Sequence, residues 1–226
     1  MTVDDRTTKA RIRDAAIEQW AANPPNSVTV RDIAAAADVS PASVIHHYGS
    51  MADLRAAANS YIAGLLKEYK TKAVQTAGPM DILGTIRSLS DLPITAYLAR
   101  SVFSDDPNVT TLIDELVEDA ITYLEAGVEA GTIRPSPNAR ERAIVLVLWS
   151  LGGLVLHEHM ERLLGVDLTD AEAISSAAGA PYTRAAFEIV SHGILTEEFA
   201  RDLQTSLATA YGDDRPEEPT TSKEAR

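Results

Sequence analysis

The residues best suited to chemistry stand together in Ser40-Pro41-Ala42-Ser43-Val44-Ile45-His46-His47-Tyr48-Gly49. On a helix, at about 100° per residue, Pro41, Val44 and Tyr48 cluster on one side, with Ile45 at its edge. Ala42, Ser43 and His46 point the other way, and His47 lies at the margin. That outward side carries no carboxylate to repel a phosphate. The small residues Ala42 and Ser43 permit close approach of a backbone. His46 can hydrogen-bond a base edge, while Ser43 and His47 suit phosphate oxygens. The same residues also fit a plainer description, an exposed histidine pair at a tight corner of an all-helical protein.

Other chemistry finds less support. His157-Glu158-His159 lacks the i, i+4 histidine spacing of a metalloprotease helix, no third ligand is suggested, and it reads as the polar end of a buried helix. The chain has no cysteine, which excludes disulfides, thiol nucleophiles and zinc–thiolate sites. It shows no carboxylate dyad at diagnostic spacing and no glycine-rich phosphate loop, so a helical-bundle enzyme has no constellation to rest on. A protein-interaction module acting without DNA is the other alternative. No cofactor is expected.

The elements that position the histidines are marked by caps. Thr29-Val30-Arg31-Asp32 is a T-x-x-D N-cap pattern, and Val30, Ile33, Ala34 and Ala37 make an apolar stripe over 30–37. Ser40-Pro41 pairs an N-cap with proline at the first helical position, opening a helix over 41–48 that Gly49 ends. Between the two, Asp38-Val39-Ser40 is a tight turn, and Asp38 tolerates the left-handed conformation such a turn requires. Two short helices across a three-residue turn are the helix-turn-helix signature, in which the second helix enters the major groove. Ser50-Met51-Ala52-Asp53 caps a further helix over 52–75.

The rest of the 226-residue chain also reads as helix. Segments are predicted near 7–22, 80–88, 92–103, 108–130, 139–164 as one helix, and 182–210 with an interruption near Gly193. Residues 165–181 read as a loop with room for one helical turn. From Gly212 the tail reads as disordered. This gives an all-α fold with a three-helix head over 1–52, a helical body over 53–211 and a tail over 212–226.

The net charge of −13 hides a split. Residues 1–72 hold 9 Lys+Arg against 8 Asp+Glu, and residues 73–226 hold 11 against 25. A nearly neutral head on an acidic body can meet DNA locally, because screening confines strong effects to about 10 Å. No apolar run approaches the ~20 residues of a membrane span, and Met1–Ile17 has no apolar signal region, so no membrane partner is expected and the cytosol is the expected location.

Residues 9–58, with Lys9-Ala10-Arg11-Ile12, Thr29-Val30-Arg31-Asp32-Ile33-Ala34 and Val39 to Ser50, resemble the DNA-binding domain of the TetR family of transcriptional regulators. The stretch YLEAGVEAGTIRPS at 123–136 resembles a subgroup of that family. The resemblance implies a homodimer that binds inverted-repeat, double-stranded DNA and represses nearby genes, such as an efflux or metabolic operon, until a small-molecule effector enters the body. By it, Pro41, Ala42, Ser43 and His46 face bases with Ile45 at the boundary, Thr29, Ser43 and His47 hold phosphates, and Arg31 belongs to the same DNA-binding set. Thr29 has a physical reason besides, since a helix N-terminus attracts anions. Where the family commonly has lysine this chain has Met51, which removes a phosphate contact.

The apolar run Ile144 to Leu156 is too short for a bilayer and must be covered by protein. The resemblance assigns the helices near 139–164 and 182–210 to pairing with their symmetry mates, and the helical body to ligand binding. The larger side chains Tyr61, Leu65, Tyr97, Phe103, Tyr123, Trp149 and Met160 are the candidates to line an effector pocket. The acidic surface suggests cationic effectors, although acidic residues on a surface are ordinarily just solvated.

Overall fold

The computed structural model describes residues 3–24, 27–75, 92–102 and 108–211, and every regular element among them is helical. The head comprises α1 (Val3–Ala22), α2 (Val30–Ala36) and α3 (Pro41–Tyr48). α4 (Met51–Gln75) leads out of the head into a body of α5 (Ile94–Ser101), α6 (Asn108–Glu129), α7 (Ala139–Val155), α8 (His157–Leu164), α9 (Ala171–Ser175), α10 (Ala180–His192) and α11 (Glu197–Tyr211). A short 3-10 turn, Ala177–Gly179, joins α9 to α10. The helix expected at 80–88, Phe103 and the tail from 212 lie outside the described residues.

The head core forms along one face of α1. Ile12, Ala16, Ile17 and Trp20 are buried against Ile33, Ala34 and Val44. The cluster does not stop at the head. Leu54, Ala58 and Ile62 of α4 continue it, and Ile94, Tyr97, Leu98 and Leu112 join from the body. A second cluster holds α6 to α7 through Val117, Ala120, Tyr123, Leu124, Ala143, Val147 and Leu151. α4 is therefore common to both ends: its first half belongs to the head core, and its second half lies along α6, where Lys67 pairs with Asp119 at 2.6 Å.

The 123–136 stretch is a helix stop. Gly131, with φ of +73°, ends α6, and the N–H groups of Thr132 and Ile133 donate back to the Gly127 carbonyl. Ile133 folds onto Gly127 so closely that an added Cβ would lie 2.6 Å from its side chain.

Two expectations need correction. Residues 139–164 are not one helix, because the chain turns by 73° between α7 and α8. Leu156 leaves the helical region at the break, one turn after Gly152-Gly153, a pair with weak helix propensity. Residues 165–181 hold more structure than one loop turn. Asp170 caps α9 by accepting from the N–H groups of Glu172 and Ala173, and Ser176 caps the following turn. The interruption at Gly193 between α10 and α11 matches its prediction. No single described helix is long and apolar enough to cross a membrane; α7 and α8 pass such a test only together, across their bend.

Candidate nucleic-acid interface and body cavity

Local chemistry sets the α2–α3 corner. Thr29 Oγ1 accepts from the Asp32 N–H at 3.3 Å, while the Thr29 N–H donates to Asp32 Oδ2 at 2.8 Å, a complete capping box. The Thr29 hydroxyl also donates to Asp32 at 2.7 Å. These bonds hold the Asp32 carboxyl below the usual carboxylate range, the side-chain bond contributing most. Since Asp32 engages both donors of Thr29, the donors left to an anion at this helix start are the first-turn N–H groups of Val30 and Arg31.

Asp38 takes φ of +52°, the left-handed conformation expected of it. Ser40 Oγ accepts from the Ser43 N–H at 3.1 Å, with Pro41 at the first helical position. Gly49 at φ of +82° ends α3, and Ser50 and Asp53 cap α4. Arg11 of α1 holds the Asp38 turn: its guanidinium donates to the Ala37 and Asp38 carbonyls, clamping the turn to α1. The signal for this was weak, since the bond joins residues 26 apart and goes to backbone.

Along α3, Val44 is buried and Tyr48 half-buried, as periodicity requires. Ala42, Ile45 and His46 are exposed, and Ser43 and His47 are half-buried. Pro41 departs from the inward side that helical spacing gives it and is exposed, at the first position of α3. Thr29 and Arg31 are exposed at the start of α2. The His46 and His47 rings meet edge to face with centroids 5.4 Å apart. The outer surface of α3 thus presents small groups and imidazoles with no carboxylate on the helix.

In the body, α4, α5, α6 and α7 enclose a cavity of about 350 Å³, closed on one side by Leu168, Ile174 and Tyr182. That volume is in the range of small-molecule sites. Of the six described residues expected to line a pocket, Tyr123 lines this one. Tyr61 instead lies under the Arg13 guanidinium, 3.2 Å from its ring centroid, and packs with Leu65 on the head core. Tyr97 is wholly buried beside Trp20 and donates to Asn59 Oδ1. Trp149 is 43% exposed on the outer side of α7, and Met160 sits half-buried on α8, away from the cavity. The lining is supplied instead by Leu66, Lys67, Tyr69 and Lys70 of α4, with Leu98, Leu116, Leu151 and Leu154. Leu66, Tyr69 and Lys70 sit at i, i+3 and i+4, a helical face that sequence could display without showing what it faces.

The body also leaves an apolar surface open. Val145, Leu148 and Trp149 of α7, Phe187 and Val190 of α10, and Phe199, Leu203, Leu207 and Tyr211 of α11 are all exposed. The last four recur every fourth residue, so they form one stripe on α11.

Two family models match separate parts of the chain. Residues 12–58 match the family model described as bacterial regulatory proteins, tetR family, and residues 90–196 match the tetracyclin repressor-like C-terminal domain. The chain is 34% identical over 194 residues to the HTH-type transcriptional regulatory protein RaaS of Mycobacterium tuberculosis (strain ATCC 25618 / H37Rv), covering 85% of this chain and 89% of that protein.

Proposed function

We propose that this chain, which belongs to the TetR family and is a transcriptional regulator with a helix-turn-helix DNA-binding head, is a homodimeric repressor released when a small molecule fills the body cavity. The observation that carries this reading is the α2–Asp38–α3 corner, fixed by two caps and the Arg11 clamp, with the carboxylate-free side of α3 turned to solvent. A helix so held can enter a major groove, with His46, Ala42 and Pro41 toward bases and Ser43, His47 and the start of α2 toward phosphates.

Dimerisation is supported by the run of large apolar side chains that α7, α10 and α11 leave exposed, since apolar faces left open on a surface mark protein contact sites. A two-fold pairing of these faces would cover it and set two α3 helices on one side of the DNA.

Release has a mechanical basis in α4. Leu54, Ala58 and Ile62 anchor that helix in the head core, and Leu66, Tyr69 and Lys70 line the cavity. A ligand that fits better with α4 displaced favours the head arrangement that goes with that displacement. The shift can be no larger than the ligand's differential affinity for the two states.

The test is a footprint on the DNA upstream of the protein's own gene, at low and moderate salt, with genome-wide recovery of bound fragments from cells. The reading expects symmetric protection that weakens with salt. No protected segment in either experiment would contradict it.

A further inference from the structure

The cavity lining is mostly apolar, and most of its charged and hydroxyl groups already have partners. Its two aliphatic hydroxyls are already spent on backbone: Thr95 donates to the Thr169 carbonyl at 2.9 Å and Ser150 to the Leu146 carbonyl at 2.8 Å. Lys67 and Asp119 neutralise each other at 2.6 Å. Lys70 is left. Its Nζ reaches the Tyr123 hydroxyl at 3.4 Å and stands 5.2 Å from that ring's centroid, and it makes no ion pair among the described residues. Burial holds the Lys70 ammonium below the ordinary lysine range, and it raises the Tyr69, Tyr123 and Tyr182 phenols of the same lining, which therefore remain protonated donors. A half-buried ammonium without a counter-ion is less stable than one in open water, and an incoming anion relieves that cost.

We propose that the cavity takes an amphiphile with an aliphatic body and a carboxylate head, the carboxylate seated on Lys70. This rests on the reading of the cavity as the effector site and reverses the expectation of a cationic effector raised by the acidic surface. The charge that a ligand meets is that of the lining, where Lys67 and Lys70 face a single Asp119, not that of the solvated exterior.

The test is calorimetric titration of the full chain with octanoate, octanol and octylammonium, three probes that share a tail and differ in head charge. Octanoate is expected to bind about tenfold more tightly than octanol, with octylammonium weakest, as one charge-assisted contact implies. Lys70→Gln is expected to erase the preference for octanoate while still binding octanol, Lys70→Arg to keep it, and Leu151→Trp, which fills the cavity, to abolish binding of all three. Equal binding of octanoate and octanol by the wild type, tighter binding of octylammonium, no binding of any probe, or a preference that survives Lys70→Gln would each overturn the proposal. Octanoate that binds through Lys70 without releasing the protein from its DNA would uphold the site and contradict release by ligand.

Discussion

The hydroxyl of Tyr48, the last residue of α3, donates to the backbone carbonyl of Lys9 in α1 at 2.7 Å, and the Lys9 ammonium stands 5.1 Å from the centre of the Tyr48 ring. The far end of the recognition helix is thereby tied to α1, while Arg11 ties its near end through the turn. Two ties at opposite ends fix the angle at which α3 leaves the head. Tyr48→Phe removes one of them at a cost of about 1 kcal/mol or less, given its partial exposure. The expected result is a few-fold loss of DNA affinity with base preference unchanged, measured by fluorescence anisotropy on matched and mismatched duplexes. A changed preference would show that Tyr48 does more than hold the helix.

Met51 opens α4 and is half-buried against the head core, and the family resemblance implies a phosphate-contacting lysine at this position. Met51→Lys can keep its stem in that contact and extend the ammonium to solvent. The log–log dependence of DNA affinity on salt should steepen by about one unit per protomer. An unchanged slope would mean that no phosphate lies within reach of this position.

The exposed stripe on α11 and the outer side of α7 are expected to meet their counterparts in a second copy. Wild-type protein should sediment as a dimer, and Trp149→Asp or Leu203→Asp should weaken association by more than about tenfold. Helical content of each monomer should stay close to native, because neither side chain belongs to the buried clusters. A wild-type monomer at micromolar concentration would contradict the proposed interface.

The Thr29–Asp32 capping box makes a small acid-dependent contribution to stability. The folded-state carboxyl is lowered, so the stabilisation is fully present above the ordinary aspartate value of 3.8 and disappears as pH falls through the lower folded value. Asp32 is fully exposed, so solvent screening keeps the effect modest. Thermal melts of wild type and Asp32→Asn should differ at pH 6 and converge in acid. A difference that persists below that range would place the role of Asp32 elsewhere.

The features legible in the sequence were those made by neighbours in the chain. Thr29 with Asp32, Asp38 at the turn, Ser40 before Pro41 and Gly193 after α10 each act over a few residues, and each stands where it was expected. What was missed depends on distant packing. Tyr61 and Leu65 share α4 with Tyr69 and Lys70, yet the first pair meets the head core and the second the cavity, according to where α5 and α7 cross. Tyr97 has the size of a pocket residue but is held in the core by Asn59, whose amide also donates to the Asn108 carbonyl at 3.3 Å. The bend at Leu156 had only the Gly152-Gly153 pair to announce it, and such a pair fits close packing as well as a break.

In the proposed function, α3 reads a base sequence as one of two symmetry-related copies. That role is tested most directly by selecting binding duplexes from a random library with the wild-type protein and with His46→Ala. The wild type should enrich an inverted repeat with half-sites about one helical turn apart, and His46→Ala should relax the choice at one base pair in each half while other positions keep theirs. Failure to enrich any sequence, or an identical motif from both proteins, would contradict it.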